Sequence, residues 1–185
     1  MNRSWHRKPG ALAAAVLVTV IAAGCSPSPD GPTRESSAPP PVTLEPAPVA
    51  ESVAKYDALR AELVAALEAK MPDITWSSDD AASLSLSKDG QCFLHPQTMK
   101  SSADIVERSR HFEDVFAVAD PILEQHGFPT FDGTDPVPGG WVVTRSTDGA
   151  GATVTIESKS PAYLRMTVPV KSQSCDANEL LQGEK

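Results

Sequence analysis

Eight prolines between residues 26 and 48 set the first limit on what this chain can fold into: Pro27, Pro29, Pro32, Pro39, Pro40, Pro41, Pro46 and Pro48. Mostly Ser, Ala and Thr stand between them. Each proline removes a backbone donor and fixes φ, and the segment has too little apolar surface to repay the entropy of ordering it. It is expected to be extended and in part polyproline-like, at about 3 Å per residue where so ordered. It serves as a spacer, and a folded core must lie after it. A chain of 185 residues then leaves room for one domain. The expected divisions are a leader over 1–24, an anchor residue and tether over 25–49, a domain over 50–175 and a tail over 176–185.

The residues before the prolines read as a secretory leader. Arg3, Arg7 and Lys8 form a basic start, residues 11–23 are apolar, and small Ala22, Ala23 and Gly24 precede Cys25. The apolar run is short for a bilayer span, which needs about 20 residues. The Ala-Ala-Gly-Cys ending resembles the lipobox of bacterial lipoproteins. That resemblance implies diacylglycerol on the Cys25 sulfur, cleavage before it and an acylated new N-terminus, hence a protein held to the outer face of the cell membrane. The other reading is an ordinary signal peptide with a cysteine beside it.

Lipid on Cys25 leaves Cys92 and Cys175. In an exported protein two such cysteines most often pair, against the alternative of two separate buried thiols. No Cys-x-x-Cys redox motif occurs. The formal charge of −8 grows more negative once the basic leader is removed. An acidic exported domain argues against a nucleic-acid partner and against flat adsorption to anionic lipid.

Beyond the prolines the apolar residues keep a helical period. Val53, Tyr56, Leu59, Leu63 and Leu67 make one stripe, and Pro72-Asp73 stops the helix near Met71. The period then changes to two. Ala82, Leu84 and Leu86 alternate with Ser83, Ser85 and Ser87, Asp89-Gly90 signals a two-residue hairpin turn, and Cys92 and Leu94 continue on the return strand. A second helix is expected from an N-cap at Ser102, with Asp104 in its first turn and Ile105, Phe112, Val115, Phe116, Ala119 and Leu123 inward. Pro121 should kink or break it, with Asp120 as a second cap, and Gly127 should end it. Three strands follow, over 141–146, 153–157 and 163–170. Pro169 cannot donate to a ladder and implies an edge or an irregular strand end. The order α-β-β-α-β-β-β gives an α+β fold, two helices packed on one face of an antiparallel sheet of about five strands. The other face should present Ser83, Ser85, Thr153, Thr155, Arg165 and Thr167.

With these elements placed, the chain resembles the LppA-like lipoproteins of actinobacteria. The resemblance rests on Tyr56-Asp57 with Leu59, Ile74-Thr75-Trp76, Cys92, Gly127-Phe128 and Ser174-Cys175, and covers most of residues 53–175. It implies membrane anchoring and a structural Cys92–Cys175 bond. It implies no activity.

Candidate chemistry is thin. Glu107 and His111 share a helical face but want further ligands to hold a metal. His95 reads as a strand-end residue, Asp79-Asp80 as a loop before a strand, and Trp76 and Trp141 as core aromatics or anchors for a sugar or partner. No Gly-x-Ser-x-Gly, phosphate-loop or His-Glu-x-x-His motif is present. The expectation is therefore no catalytic residue, no cofactor and no metal. The partners expected are the membrane, through lipid on Cys25, and an unidentified envelope protein or ligand. The leading function class is an interaction or accessory module. The alternative is a carrier of lipid or another apolar ligand, which would need a cavity between helices and sheet. A hydrolase without a recognised motif ranks third. Replacing Cys25 by Ser should release the protein from the membrane fraction or block its processing; unchanged detergent partitioning of the variant would refute the anchor.

Overall fold

The computed structural model describes residues 45–183. The expected leader over 1–24, Cys25, the tether as far as residue 44 and the last two residues of the tail lie outside the described residues.

Helix α1 (Val49–Lys70) carries the expected stripe. Val49, Ser52, Tyr56, Leu59, Leu63 and Leu67 are its buried residues. After Pro72 the Glu68 carboxylate accepts the Trp76 N–H at 2.8 Å, which ties strand β1 (Trp76–Ser78) back to the helix. Strands β2 (Ser83–Leu86) and β3 (Cys92–His95) form the expected hairpin. Its loop holds three residues, not two: the Ser87 N–H bonds the Gln91 carbonyl, and Gly90 at φ 85° takes the left-handed position.

Strand β4 (Met99–Ser101) and helix α2 (Glu113–Gln125) come next, followed by β5 (Asp135–Val137), β6 (Trp141–Thr147), β7 (Thr153–Ser158) and β8 (Ala162–Val170). The sheet therefore has eight antiparallel strands, not about five. The additional ones, β1, β4 and β5, are three residues each, too short to show period-two alternation. The main order is β1-β4-β8-β7-β6-β5, with β3 also on β8 and β2 outside β3. Thus β3 and β4 share one edge of β8. Register shifts by one residue between Leu94↔Val168 and Met99↔Leu164, the mark of a bulge over 96–98. The bulge is held by its neighbours: the Asp80 carboxylate accepts the Thr98 N–H, and the Thr98 carbonyl accepts the Asp79 N–H. Pro169 lies opposite Phe93 in β8. The Lys171 N–H, two residues on, bonds the Ala47 carbonyl on the edge away from β3. The Pro169 nitrogen faces that same edge, past the end of β7, where no ladder needs a donor.

The second helix begins later than expected. Residues 102–112 form turns, and α2 starts at Glu113. Side chains take the backbone donors a helix would have used. The Asp104 carboxylate accepts the Val106 N–H and the Ser158 hydroxyl, and Ser158 in turn accepts the Ile105 N–H. Ser109 accepts the Phe112 N–H. Arg110, His111 and Phe112 then stand at φ 51°, 56° and 73°, a reversal that no α-helix permits. Pro121 lies inside α2 without breaking it, and Asp120 caps no second helix but accepts the Phe131 N–H.

Both helices cover one face of the sheet. Leu59, Leu63, Leu67, Val115 and Leu123 meet Val154, Ile156 and Leu164 there, each at most 1% exposed. The chain after β8 is structured where a tail was expected. A 3-10 helix (Ala177–Gly183) packs against α1 and touches β2. The Glu179 carboxylate anchors it by accepting the Ser172 hydroxyl and both the N–H and hydroxyl of Ser174. These bonds hold the carboxyl down at about 2. The tether also enters the fold at its end: Ala47 bonds Lys171, and Pro48 bridges it in parallel.

Cys92 and Cys175 are disulfide-bonded, with Cα atoms 5.7 Å apart and 83 residues of sequence separation. Closing so long a loop removes denatured-state entropy worth roughly 4–5 kcal/mol. Replacing both cysteines by Ala should lower unfolding stability by about that amount in denaturant titration, with most of the loss traced to the unfolded state by an unchanged fold in circular dichroism.

Candidate binding face

Strand alternation places two different surfaces on the sheet. Ala162, Leu164, Met166, Val168 and Val170 point from β8 into the core. Tyr163, Arg165, Thr167 and Pro169 therefore point the other way. Cross-strand register adds Glu157, Thr155 and Thr153 from β7, Lys100 from β4, and Ser83, Ser85, Phe93 and His95 from the β2–β3 hairpin. No helix among the described residues lies on this side. The six polar residues expected on the open face are all on it.

An aromatic and charged cluster occupies one end of the face. The Trp141 and Tyr163 rings lie 6.1 Å apart, tilted by 39°. The Arg165 guanidinium stands 4.7 Å from the Tyr163 ring centre and the Lys100 ammonium 5.9 Å from it. Both cations are also paired with acids, Arg165 with Glu157 at 2.9 Å and Lys100 with Asp79 at 3.6 Å. Beneath them Val143, opposite Glu157, is only 3% exposed although it faces outward and stands apart from the main core. The cluster thus makes a small packed patch of balanced charge, with aromatic surface at its centre. Sequence alternation carries the signal for Tyr163, two and four residues before Arg165 and Thr167, both expected on the open face. Lys100 had no such signal, because β4 is too short.

The residues singled out for chemistry are dispersed. Glu107 and His111 are exposed, with a 3.8 Å contact between them. Among the described residues no group of three or more His, Cys, Asp or Glu gathers to hold a metal. Asp79 and Asp80 diverge, one to Lys100 and the other to the bulge. Trp76 is buried beside α1, away from Trp141, and its indole N–H has no partner among the described residues. His95 does meet a hydroxyl, with Nε2 2.8 Å from the Ser85 Oγ. This pair went unread in the sequence because it forms across the hairpin. It lies exposed on the open face, and no carboxylate among the described residues bonds the other ring nitrogen.

Several recesses among the described residues open to the surface. Two of about 450 and 560 Å3 flank the segment from Lys171 to Cys175. A third, of about 200 Å3, adjoins Tyr56 and Asp148. There the Tyr56 hydroxyl donates to Asp148 at 3.4 Å, and burial, reinforced by the Asp148 charge, pushes its pKa well up. Asp148 also accepts the Ala150 and Ala152 N–H groups, so its role is to fix the β6–β7 turn against α1.

Comparison with known proteins supplies a fold and no chemistry. The chain is similar in structure to a DUF4853 family protein from Actinomyces odontolyticus, with a TM-score of 0.50, 9% sequence identity, and coverage of 70% of this chain and 72% of that chain. No family model matches the sequence, and no curated protein matches it. At that identity the likeness is one of architecture.

The cluster is peripheral to folding. Arg165→Ala and Lys100→Ala should each change stability by less than about 1 kcal/mol, as expected for exposed ion pairs and cation–aromatic contacts, measured by thermal unfolding.

Proposed function

We propose that this chain is an exported lipoprotein, held to the outer face of the cell membrane through lipid on Cys25, whose domain binds an envelope partner and performs no catalysis. The observation that carries this reading is the open sheet face with Trp141, Tyr163, Arg165 and Lys100 packed at one end. Aromatic side chains beside charged ones, on a rigid sheet, give large contact area at small entropic cost. A tether rich in proline would hold such a face away from the membrane, and anchoring would raise its local concentration near membrane-bound partners.

We further propose membership of the LppA-like lipoproteins. Of the residues carrying that resemblance, Tyr56, Leu59, Ile74, Trp76 and Phe128 are buried and Cys92 and Cys175 are bonded to each other. They describe a shared scaffold, and the open face is where members would differ in partner. The carrier alternative finds less support: the space between helices and sheet is filled by Leu59, Leu63, Leu123, Ile156 and Leu164.

The test is proximity labelling from the anchored protein in intact cells, followed by direct binding of each labelled neighbour to purified protein. Trp141→Ala with Tyr163→Ala should abolish binding of the true partner, and Glu62→Ala, on the helix side, should leave it intact. Binding untouched by the face variant, turnover of a hydrolase substrate, or lipid that copurifies in stoichiometric amount would each overturn the reading.

A further inference from the structure

The sheet has three exposed flanks, and two are closed to further pairing. Strand β5 carries Pro136 at its centre, which offers no N–H. On β1 the Trp76 N–H is taken by the Glu68 carboxylate. Strand β2, Ser83-Leu84-Ser85-Leu86, has neither device: it contains no proline and no charge, and it pairs with β3 alone.

Its free backbone groups can be identified from the hairpin. The Ser87 N–H bonds the Gln91 carbonyl. Hydrogen-bonding direction alternates along an antiparallel strand, so Ser85 and Ser83 also face β3, and Leu84 and Leu86 direct their N–H and carbonyl groups outward. The side chains alternate as well. Ser83 and Ser85 lie on the open face with His95 and Phe93, while Leu84 and Leu86 lie on the core side with Leu94 and Cys92. Leu86 is 65% exposed, and Leu181, on the 3-10 helix that touches β2, is 66% exposed. These are the large apolar side chains most open to solvent among the described residues.

We propose that β2 pairs antiparallel with β2 of a second copy of this chain, across a two-fold axis through Ser85. The strand is complementary to itself in that register. Ser85 faces Ser85 on the open side as a non-hydrogen-bonded pair. Leu84 of each chain faces Leu86 of the other on the core side, and those two residues are the ones whose backbone groups point outward. Four backbone hydrogen bonds close, and each Leu86 is covered by the opposite Leu84. The two-fold makes the interface isologous and therefore closed at two chains, where an unmatched open edge would recruit chains without limit. The interface is independent of the aromatic patch, so its test and that of the partner-binding reading separate.

The register fixes the experiment. Cα atoms of a non-hydrogen-bonded antiparallel pair stand about 4.5 Å apart, within the span of a disulfide, roughly 4.4–6.8 Å. Ser85→Cys in the full chain, left in its membranes and treated with a mild oxidant, should give several-fold more covalent homodimer than the unaltered chain or Ala61→Cys, which places a thiol on the exposed side of α1. Ser83→Cys should stay near that background, since Ser83 would face Ser87. Adding Leu86→Lys to Ser85→Cys should remove the dimer, because the ammonium would sit against Leu84 of the other copy. A Ser85→Cys yield equal to that of Ala61→Cys, a dimer indifferent to Leu86→Lys, or a crosslink to a different protein would overturn the proposal.

Discussion

Strand β8 takes its neighbours from three strands at once, and the fold depends on that arrangement. One edge is matched residue for residue by β7 from Ala162 to Thr167. The other is shared by β4 and β3, which meet over the bulge at 96–98. Every second β8 side chain is a buried apolar residue in contact with the helical layer. A change in its register by one residue would turn Leu164 and Met166 to solvent and Tyr163 and Arg165 inward. The two surfaces of the domain, one sealed by helices and one open, are thus set by the parity of a single strand.

The features around β8 act to keep that register. Asp79 and Asp80 hold the bulge, Gly151 at φ 86° takes the left-handed position that closes the β6–β7 turn, and Cys175 locks the chain beyond Val170 to β3. Buried serines do similar work on the connection to α2. Ser101, Ser109 and Ser158 are each at most 4% exposed, and each satisfies backbone groups that the turns leave unpaired.

Long periodic elements were legible in the sequence and short ones were not. The stripe of α1, the alternation of 82–86 and that of 163–170 each span enough residues to distinguish a period of 3.6 from a period of 2, so they gave the fold class, the layer order and the polar face. Strands of three residues carry no period, which is why β1, β4 and β5 escaped and with them Lys100. The misread helix start has a different cause. Ile105 and Phe112 keep helical spacing, but Asp104, Ser109 and Ser158 divert the local N–H groups, and Ser158 comes from 54 residues away in the chain. Such capture is invisible to any local window. The same holds for the Ser85–His95 contact, which exists only because the hairpin closes. At the open face, sequence indicated polarity, and the clustering of Trp141 with Tyr163 required the register of β6 on β7 and β7 on β8.

The entry point of the polypeptide has a mechanical meaning. The chain arriving from residue 45 joins the domain through the Ala47–Lys171 hydrogen bond and the first turn of α1, and four residues past Lys171 stands the disulfide to β3. Tension applied along the incoming segment is delivered to one corner of the sheet, where a parallel bridge and a covalent crosslink adjoin. The hydrogen bond can yield, letting residues 45–48 peel away, while the crosslink keeps β8, β3 and the C-terminal 3-10 helix together. The contact that yields first is thus separate from the crosslink that holds the sheet corner, and a pull on the incoming segment would free a few residues before it reached the buried first turn of α1.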